Sequence, residues 1–507
     1  MSVNGPNGVL VIYTGGTIGS KPRDPDPDSP QVVVKWPELE KGTPELNELK
    51  KRGLRVDCEE IKPLDSCNVG PNEWQEIAGI IEKNYIDYEG FVILHGTDTM
   101  VYTASALSFM LRDLAKPVIL TGAQRSALVD VRNDASQNFI TAILIAAPSF
   151  SNIPVVPEVC IYFGGKLLRG NRSIKRDTAG YDAYESPNIP PLGEVGDKIV
   201  INERSIRPVP LNKRFNVRKN LDANVATVLV YPGIQNTDLA KRQLEGLESL
   251  SSDHPESLKA AIVMAYGSGN IPTLWPEWLE NFRQARDKGM VIATVSQCRR
   301  GAVELGIYET SALLLELGFI AAGDITLEAS VCKLMALLGD PDLTQDEVEE
   351  AYQRDIAGEQ SSSVFLTKYP TKEGSIKREG KEIANVRIPG KALEGSWQNT
   401  QVERALLRFR GATLATSKEP PVDFSVYLNL DKVEDASTDH PGYAGVFKKE
   451  PTEDKSDQII LFDVTRVITT LVGAGERASF TVILDTPDSE FTWKSVELAI
   501  ITREAIA

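Results

Sequence analysis

Histidine is nearly missing from this chain. Only positions 95, 254 and 440 carry it, among 507 residues. A Ser-His-Asp or Cys-His enzyme would have to take its base from those three, and a histidine-rich metal centre has too few ligands to form. Cysteine is sparse and odd in number, at 58, 67, 160, 298 and 332, with no CxxC. That spread argues against a Cys-rich zinc site and a disulfide framework, and it fits reduced thiols in a cytoplasm. No apolar run approaches the roughly 18–20 residues of a membrane helix. The opening MSVNGPNGVLVIYTGG lacks the basic segment and long apolar stretch of a secretory signal. Positive charge is in deficit, with 55 Lys and Arg against 71 Asp and Glu, a net charge of −16. Phosphate backbones and anionic membranes repel such a chain, so neither nucleic acid nor membrane is an expected partner. One short basic cluster, Lys213 to Lys219, reads as a solvated linker.

What remains is an ordinary globular composition, 42% hydrophobic and 25% charged, long enough for several cores. Short apolar runs alternate with helical spacing. Residues 8–19 (GVLVIYTGGTIG) read as a buried strand ending in a glycine turn, 73–84 as a helix, 90–95 as a strand, 101–114 as a helix, and 117–121 and 158–163 as strands. Residues 20–37 hold five prolines and many acids, which excludes a helix and predicts a mobile surface loop. After a Pro- and Asn-rich stretch at about 186–224 the alternation resumes. Strands are expected at 225–231, 260–266 and 290–295, and helices at about 276–288, 310–318 and 343–356. This pattern predicts an α/β fold with parallel sheets flanked by helices, its site in loops at the carboxyl ends of the strands. Beyond residue 363 alternating runs such as DFSVYLNL and ASFTVILD predict a separate all-β, sandwich-like domain. The expected division is 1–205, a linker at 206–224, 225–358, and 359–507.

Three strand ends carry candidate chemistry. T-G-G-T-I-G at 14–19 sets a hydroxyl beside glycines that let backbone come close to an oxyanion, yet it has neither the spacing nor the lysine of a phosphate-binding loop. H-G-T-D-T-M at 95–100 sets hydroxyls beside a carboxylate, and Thr97, Asp98 or Thr99 merely capping the next helix is a reading of equal weight. His95 reads as structural. R-G-N-R-S-I-K at 169–175 supplies a lysine that alone would be a solvated charge. Together they fit threonine chemistry. A hydroxyl needs a base, a lysine of lowered pKa can serve without histidine, and a carboxylate can orient it.

These residues resemble the bacterial-type L-asparaginases of the cytoplasmic class. The similarity spans about 8–360, through YTGGTIG (13–19), PLDSCNVGPNEW (63–74), GFVILHGTDTMVYTASALSFML (90–111), KPVILTGAQ (116–124), RGNRSIK (169–175), SPNIPPL (186–192), YPGI (231–234) and YGSGN (266–270). The resemblance implies hydrolysis of L-asparagine to L-aspartate and ammonia with no cofactor and no metal. It implies Thr17 as the nucleophile, and Thr97, Asp98 and Lys175 as a second triad for proton transfer. Asp65, Ser66 and Cys67 would hold the substrate α-carboxylate, Asp98 would take the α-amino group, and Asn270 would arrive from a neighbouring subunit of a homo-oligomer, dimer or tetramer. Residues 20–36 lack the tyrosine that the family's lid usually carries, and Tyr13 is no obvious substitute. S-Q-C at 296–298 matches a segment where a cysteine lines an effector site, against the plainer reading of Cys298 as a buried structural thiol.

Two other functions share the fold or the ligand: the ammonia-releasing subunit of a tRNA-dependent amidotransferase, and a silent asparagine sensor. The acidity opposes the first and the complete Thr17, Thr97, Asp98 and Lys175 set opposes the second. The tail is similar, through DFSVYLNLDKVEDAS (423–437), YAGVF (443–447) and FDVTRVITTLVGAGE (462–476), to the β-domain that follows the copper domain of tyrosinases and polyphenol oxidases. With His440 as its only histidine it implies no copper site, and it reads as an interaction or stabilising module.

Overall fold

The strand Val9–Gly15 is buried along its whole length, as a strand covered on both faces must be. It runs parallel to Val56–Leu64 on one side and Gly90–Leu94 on the other, and Val118–Thr121 and Val159–Phe163 continue the parallel run. Successive side chains alternate between two cores. Leu10 and Ile12 join Trp74, Ile77 and Leu107 from helices Pro71–Asn84 and Met100–Met110, while Val9, Val11 and Tyr13 join Phe139 and Ile143 from Ala135–Ala146. Helix Pro71–Asn84 forms where it does because Pro71 opens it and the Glu73 carboxylate accepts from the Gly70 N–H at 2.8 Å. Trp74, Ile77 and Ile81 then fall on one face, each burial stabilising by about 1.5–3 kcal/mol.

This computed structural model describes residues 8–24, 29–129, 131–234, 258–305, 309–368, 374–377, 383–387, 400–430, 432–451, 458–471 and 479–504. His254 and parts of the tail motifs lie outside them.

Several expectations are corrected. The first sheet has eight strands and is mixed rather than parallel throughout. Gly164 and Gly165, at φ 56° and 84°, turn the chain back after Val159–Phe163. Lys166–Arg169, Gly193–Val195 and Ile199–Ile201 therefore pair antiparallel beyond it. Within 20–37 a short hairpin pairs Ser20–Pro22 with Gln31–Val33, and a helix begins at Trp36. Helices Pro44–Lys51, Ala135–Ala146 and Leu327–Leu338 lie where no helix was expected. The basic cluster is not a free linker. Lys219 pairs with Glu82, Lys213 with Asp113 and Arg218 with Asp340, while Phe215 stacks on Tyr85 at 3.7 Å.

A second unit holds four parallel strands, Val225–Leu229, Ala260–Ala265, Val291–Ser296 and Ile320–Ala321. Pro276–Asp287 covers one face, and Leu327–Leu338 and Gln345–Tyr352 the other. Among the described residues the C-terminal region forms two antiparallel sheets, of six and four strands, around a core that includes Phe409, Phe424, Phe462 and Phe491. It docks on the second unit through Ile459, which packs against that unit's core, and through Arg410, which donates to the Leu315 carbonyl at 3.5 Å.

The three parts meet at residues 356–361. Arg172, 2% exposed, donates to both Asp324 oxygens at 2.9 and 2.7 Å, to the Glu359 carbonyl at 2.8 Å and to the Ser361 hydroxyl at 2.8 Å. Glu359 is itself fully buried, 2.5 Å from the Lys333 ammonium. Burial alone would push its carboxyl up, but Lys333 and the N–H groups of Ile356 and Ala357 more than reverse this and hold it ionised. Removing one partner of such a pair strands the other charge in a dry interior. Glu359→Gln is expected to cost about 3–5 kcal/mol in chemical denaturation. The Lys333→Met/Glu359→Leu double variant should cost less than that single change. Equal stability of Glu359→Gln and the parent chain would show that water reaches the pair.

Candidate functional site

The site is built where three strand ends close on one another. Gly15 and Gly16 take φ 108° and 88°, conformations that favour glycine, and they leave no room for a side chain. A Cβ on Gly15 would lie 2.6 Å from the Leu64 carbonyl oxygen, and one on Gly16 would lie 2.5 Å from the Gly96 Cα. A Cβ on Gly96 would in turn lie 2.7 Å from the Ser66 Cβ. These contacts draw the loops after Val9–Gly15, Val56–Leu64 and Gly90–Leu94 together. They leave Thr17 exposed among buried neighbours, at the head of the short 3-10 turn Thr17–Gly19.

Lys175 reaches the same place from another direction. Its ammonium donates to the Thr97 hydroxyl at 2.8 Å and to the Asp98 carboxylate at 2.7 Å. Its strand, Ile174–Lys175, pairs antiparallel with Tyr184–Glu185. The hydroxyl of Tyr184 donates to the Thr97 carbonyl, so both members of the Lys175–Tyr184 pair grip one loop. Tyr184 is buried and packs on Phe163, and burial followed by the nearby Asp98 charge pushes its hydroxyl pKa far up. It therefore stays a hydrogen-bond donor. No local motif marked Tyr184, whose role depends on a pairing that only the fold creates.

The capping reading of 97–99 does not hold. Thr99 occupies the cap position of Met100–Met110 but makes no side-chain cap bond. Its hydroxyl donates instead to the Ser66 carbonyl at 2.6 Å. The Ser66 hydroxyl, 3% exposed, accepts from the Asp98 N–H at 3.2 Å, which leaves its own proton for another acceptor. Asp65 accepts from the Cys67 N–H at 3.1 Å, fixing the turn that presents both exposed residues. Asp65, by hydrogen bonding and charge, and then Asp98 push the Cys67 thiol up, so it stays protonated. Asp65 and Asp98 thus give this rim a negative character suited to an ammonium group.

Of the other expected residues, Asn270 lies in the second unit, on the turn after Ala260–Ala265, bridging back to Tyr266. Tyr13 is no lid: it is fully buried and donates to the Val34 carbonyl at 2.8 Å. Cys298 is exposed, not a buried structural thiol. The adjoining Arg299 lies 3.6 Å from Glu185, on the strand beside Lys175. Among the described residues no group of three or more His, Cys, Asp or Glu is placed to hold a metal ion.

His95 underpins the site without entering it. The Trp74 indole donates to the Thr103 hydroxyl at 2.9 Å, which donates to His95 Nε2 at 2.9 Å, while Nδ1–H donates to the Gly96 carbonyl at 2.7 Å. Complete burial pulls its pKa down to about 4, so the ring is neutral with one tautomer satisfied. A neutral buried histidine links stability to pH. Its contribution is complete above the unfolded pKa near 6.5 and is lost as pH falls toward 4, where the folded ring also protonates. The loss across that window should be about 2–4 kcal/mol. Urea midpoints of the parent and His95→Gln between those limits check this, and parallel pH curves for the two proteins would refute it.

Comparison with known proteins shows what the chain is similar to. Residues 8–207 match the family model "Asparaginase, N-terminal", and 224–352 match "Glutaminase/Asparaginase C-terminal domain". L-asparaginase 1 of Escherichia coli (strain K12) is 37% identical over 358 residues, covering 69% of this chain and 97% of that protein. The crystal structure of L-asparaginase I from Vibrio cholerae superposes with a TM-score of 0.59 at 35% identity, over 70% of this chain and 99% of that one. The thermostable L-asparaginase from Thermococcus kodakarensis gives 0.60 at 30% identity, over 69% and 98%.

Proposed function

The chain belongs to the asparaginase family, and from that premise we propose how its residues divide the work. It is an amidohydrolase that converts L-asparagine and water to L-aspartate and ammonia. The observation that carries the assignment of roles is the Lys175 ammonium bonded to both Thr97 and Asp98 beside the T-G-G-T turn.

In this reading the Thr17 hydroxyl attacks the side-chain amide carbon, and the amide nitrogen leaves as ammonia once protonated. The resulting ester on Thr17 is then opened by water. Lys175, held by Asp98, and the Thr97 hydroxyl form the path along which protons leave the attacking oxygen. Ser66 donates its free proton to the substrate α-carboxylate, with Asp65 and Cys67 shaping that turn, and Asp98 takes the α-ammonium group. Asn270 completes the site of a second copy in a homo-oligomer, a dimer or a tetramer. The catalytic chemistry falls in 1–205, with 206–224 linking it to 225–358, and 359–507 acts as an accessory β-domain. With its free thiols and with no described helix long and apolar enough to cross a membrane, we place the enzyme in the cytoplasm.

Thr17→Val should fold normally and lose at least ~4 kcal/mol of transition-state stabilisation, roughly a thousandfold in turnover. Lys175→Met should be equally silent. Mixing Thr17→Val with Asn270→Ala protomers under conditions of subunit exchange tests both assignments, because a mixed pair can assemble one intact site. Ammonia release should reappear in the mixture. If Thr17→Val alone keeps near-normal turnover, the nucleophile is another residue. If the mixture stays as inactive as its components, Asn270 does not act across an interface.

A further inference from the structure

A cavity of about 480 Å³ lies between the two α/β units. It is lined on one side by residues 111–114 and 157–159, and on the other by Leu337, Leu343 and Ala351. It is separate from the Thr17 site. Helix Met100–Met110 starts beside Asp98 and delivers Leu111 to the cavity after 11 residues, about 16 Å away at the usual helical rise.

The charges around it do not balance locally. Four cations line it, Arg112, Arg207, Lys213 and Arg218, in a protein whose net charge is −16. The three carboxylates in the lining are already engaged: Glu158 with Arg169 at 2.5 Å, Asp113 with Lys213 at 3.3 Å, and Asp340 with Arg218. Glu359, a further carboxylate whose charge acts on Arg112, is held by Lys333. The Arg112 backbone is fixed by antiparallel pairing with Asn216, yet among the described residues no hydrogen bond engages its guanidinium. The Arg207 backbone N–H donates to Glu158 at 2.6 Å, but its guanidinium keeps only long contacts, at 3.4 Å to Asp355 and 3.4 Å to the Ile356 carbonyl. A half-buried guanidinium with five donors and no acceptor is costly unless something supplies the acceptors. Burial pulls its pKa down, which is the same cost seen from the proton's side.

We infer that this cavity is a binding site for a small multivalent anion, a phosphate- or carboxylate-bearing metabolite, which Arg112 grips with its planar fork and Arg207 assists. Guanidinium suits either group because two parallel N–H donors match two oxygens of a carboxylate or phosphate. The cavity is large enough for a ligand of several heavy atoms, and the ligand would touch both α/β units and so brace them.

The test is titration calorimetry on the full chain at constant ionic strength, with inorganic phosphate in one arm and citrate in the other. A saturable heat with one site per chain in either arm supports the inference, and the tighter arm identifies the chemical class. Arg112→Gln should weaken that binding by roughly tenfold or more, the worth of a charge-assisted hydrogen-bond pair. It should leave asparagine turnover unchanged, since Arg112 touches none of the residues around Thr17. Saturating L-aspartate should not displace the anion. If circular dichroism shows Arg112→Gln unfolded, Arg207→Gln replaces it and should weaken binding in the same direction. The inference is overturned if neither anion gives a saturable heat, if both variants bind as tightly as the parent, or if L-aspartate competes. The first result would mean that the cavity holds water alone.

Discussion

The guanidinium of Arg172 is the constraint that the rest of the site depends on. It stands three positions before Lys175, and its donors are spent on Asp324 in the second α/β unit and on Glu359 and Ser361 in the junction to the β-sandwich. Its neighbours are held in the same way. Arg169 is clamped by Glu158 at 2.5 Å, and the Asn171 amide donates to the Ala357 carbonyl at 2.9 Å. Paired charges buried like this add little to stability against an apolar alternative, but only one arrangement of the chain satisfies all of them. The loop that carries Lys175 is therefore tied to parts of the chain that lie nearly two hundred residues downstream. The boundary expected at 358–359 runs through the middle of this clamp, so the sandwich begins where the loop that carries Lys175 is anchored.

A second consequence is the division of labour among hydroxyls and charges. With His95 buried and neutral, the polar groups gathered at the strand ends are the Thr97 hydroxyl, the Asp98 carboxylate and the Lys175 ammonium. The fold brings them together by removing side chains: Gly15, Gly16 and Gly96 allow three backbones to approach within distances that no Cβ would tolerate. Tyr184 then holds the Thr97 carbonyl through its hydroxyl, fixing the loop.

Much of this was legible in the sequence where the signal is local. A β-branched run followed by glycines marks a buried strand with a tight turn, and the spacing of Trp74, Ile77 and Ile81 marks a one-sided helix. The alternating runs of the tail gave away two-sheet packing. What escaped has a physical reason in each case. Helix Ala135–Ala146 is buried on most of its circumference, so its apolar residues show little periodic contrast. The antiparallel half of the first sheet hangs on two glycines whose positive φ cannot be told from an ordinary loop. Lys213 and Arg218 looked solvated because their acidic partners, Asp113 and Asp340, come from distant segments. Thr97, Asp98 and Lys175 were legible as a group to be brought together because they follow strands, and the fold does set them within hydrogen-bond reach. Arg172 and Tyr184, which hold them, were not, because their partners are made neighbours only by folding.

The central claim is that this protein turns over free L-asparagine. The direct measurement is steady-state ammonia release by the purified full-length protein given L-asparagine and, in parallel, L-glutamine, with no other component present. The account predicts a saturable rate with L-asparagine as the preferred substrate. Binding of L-asparagine without ammonia release, or release only when tRNA and a second protein are supplied, would contradict it.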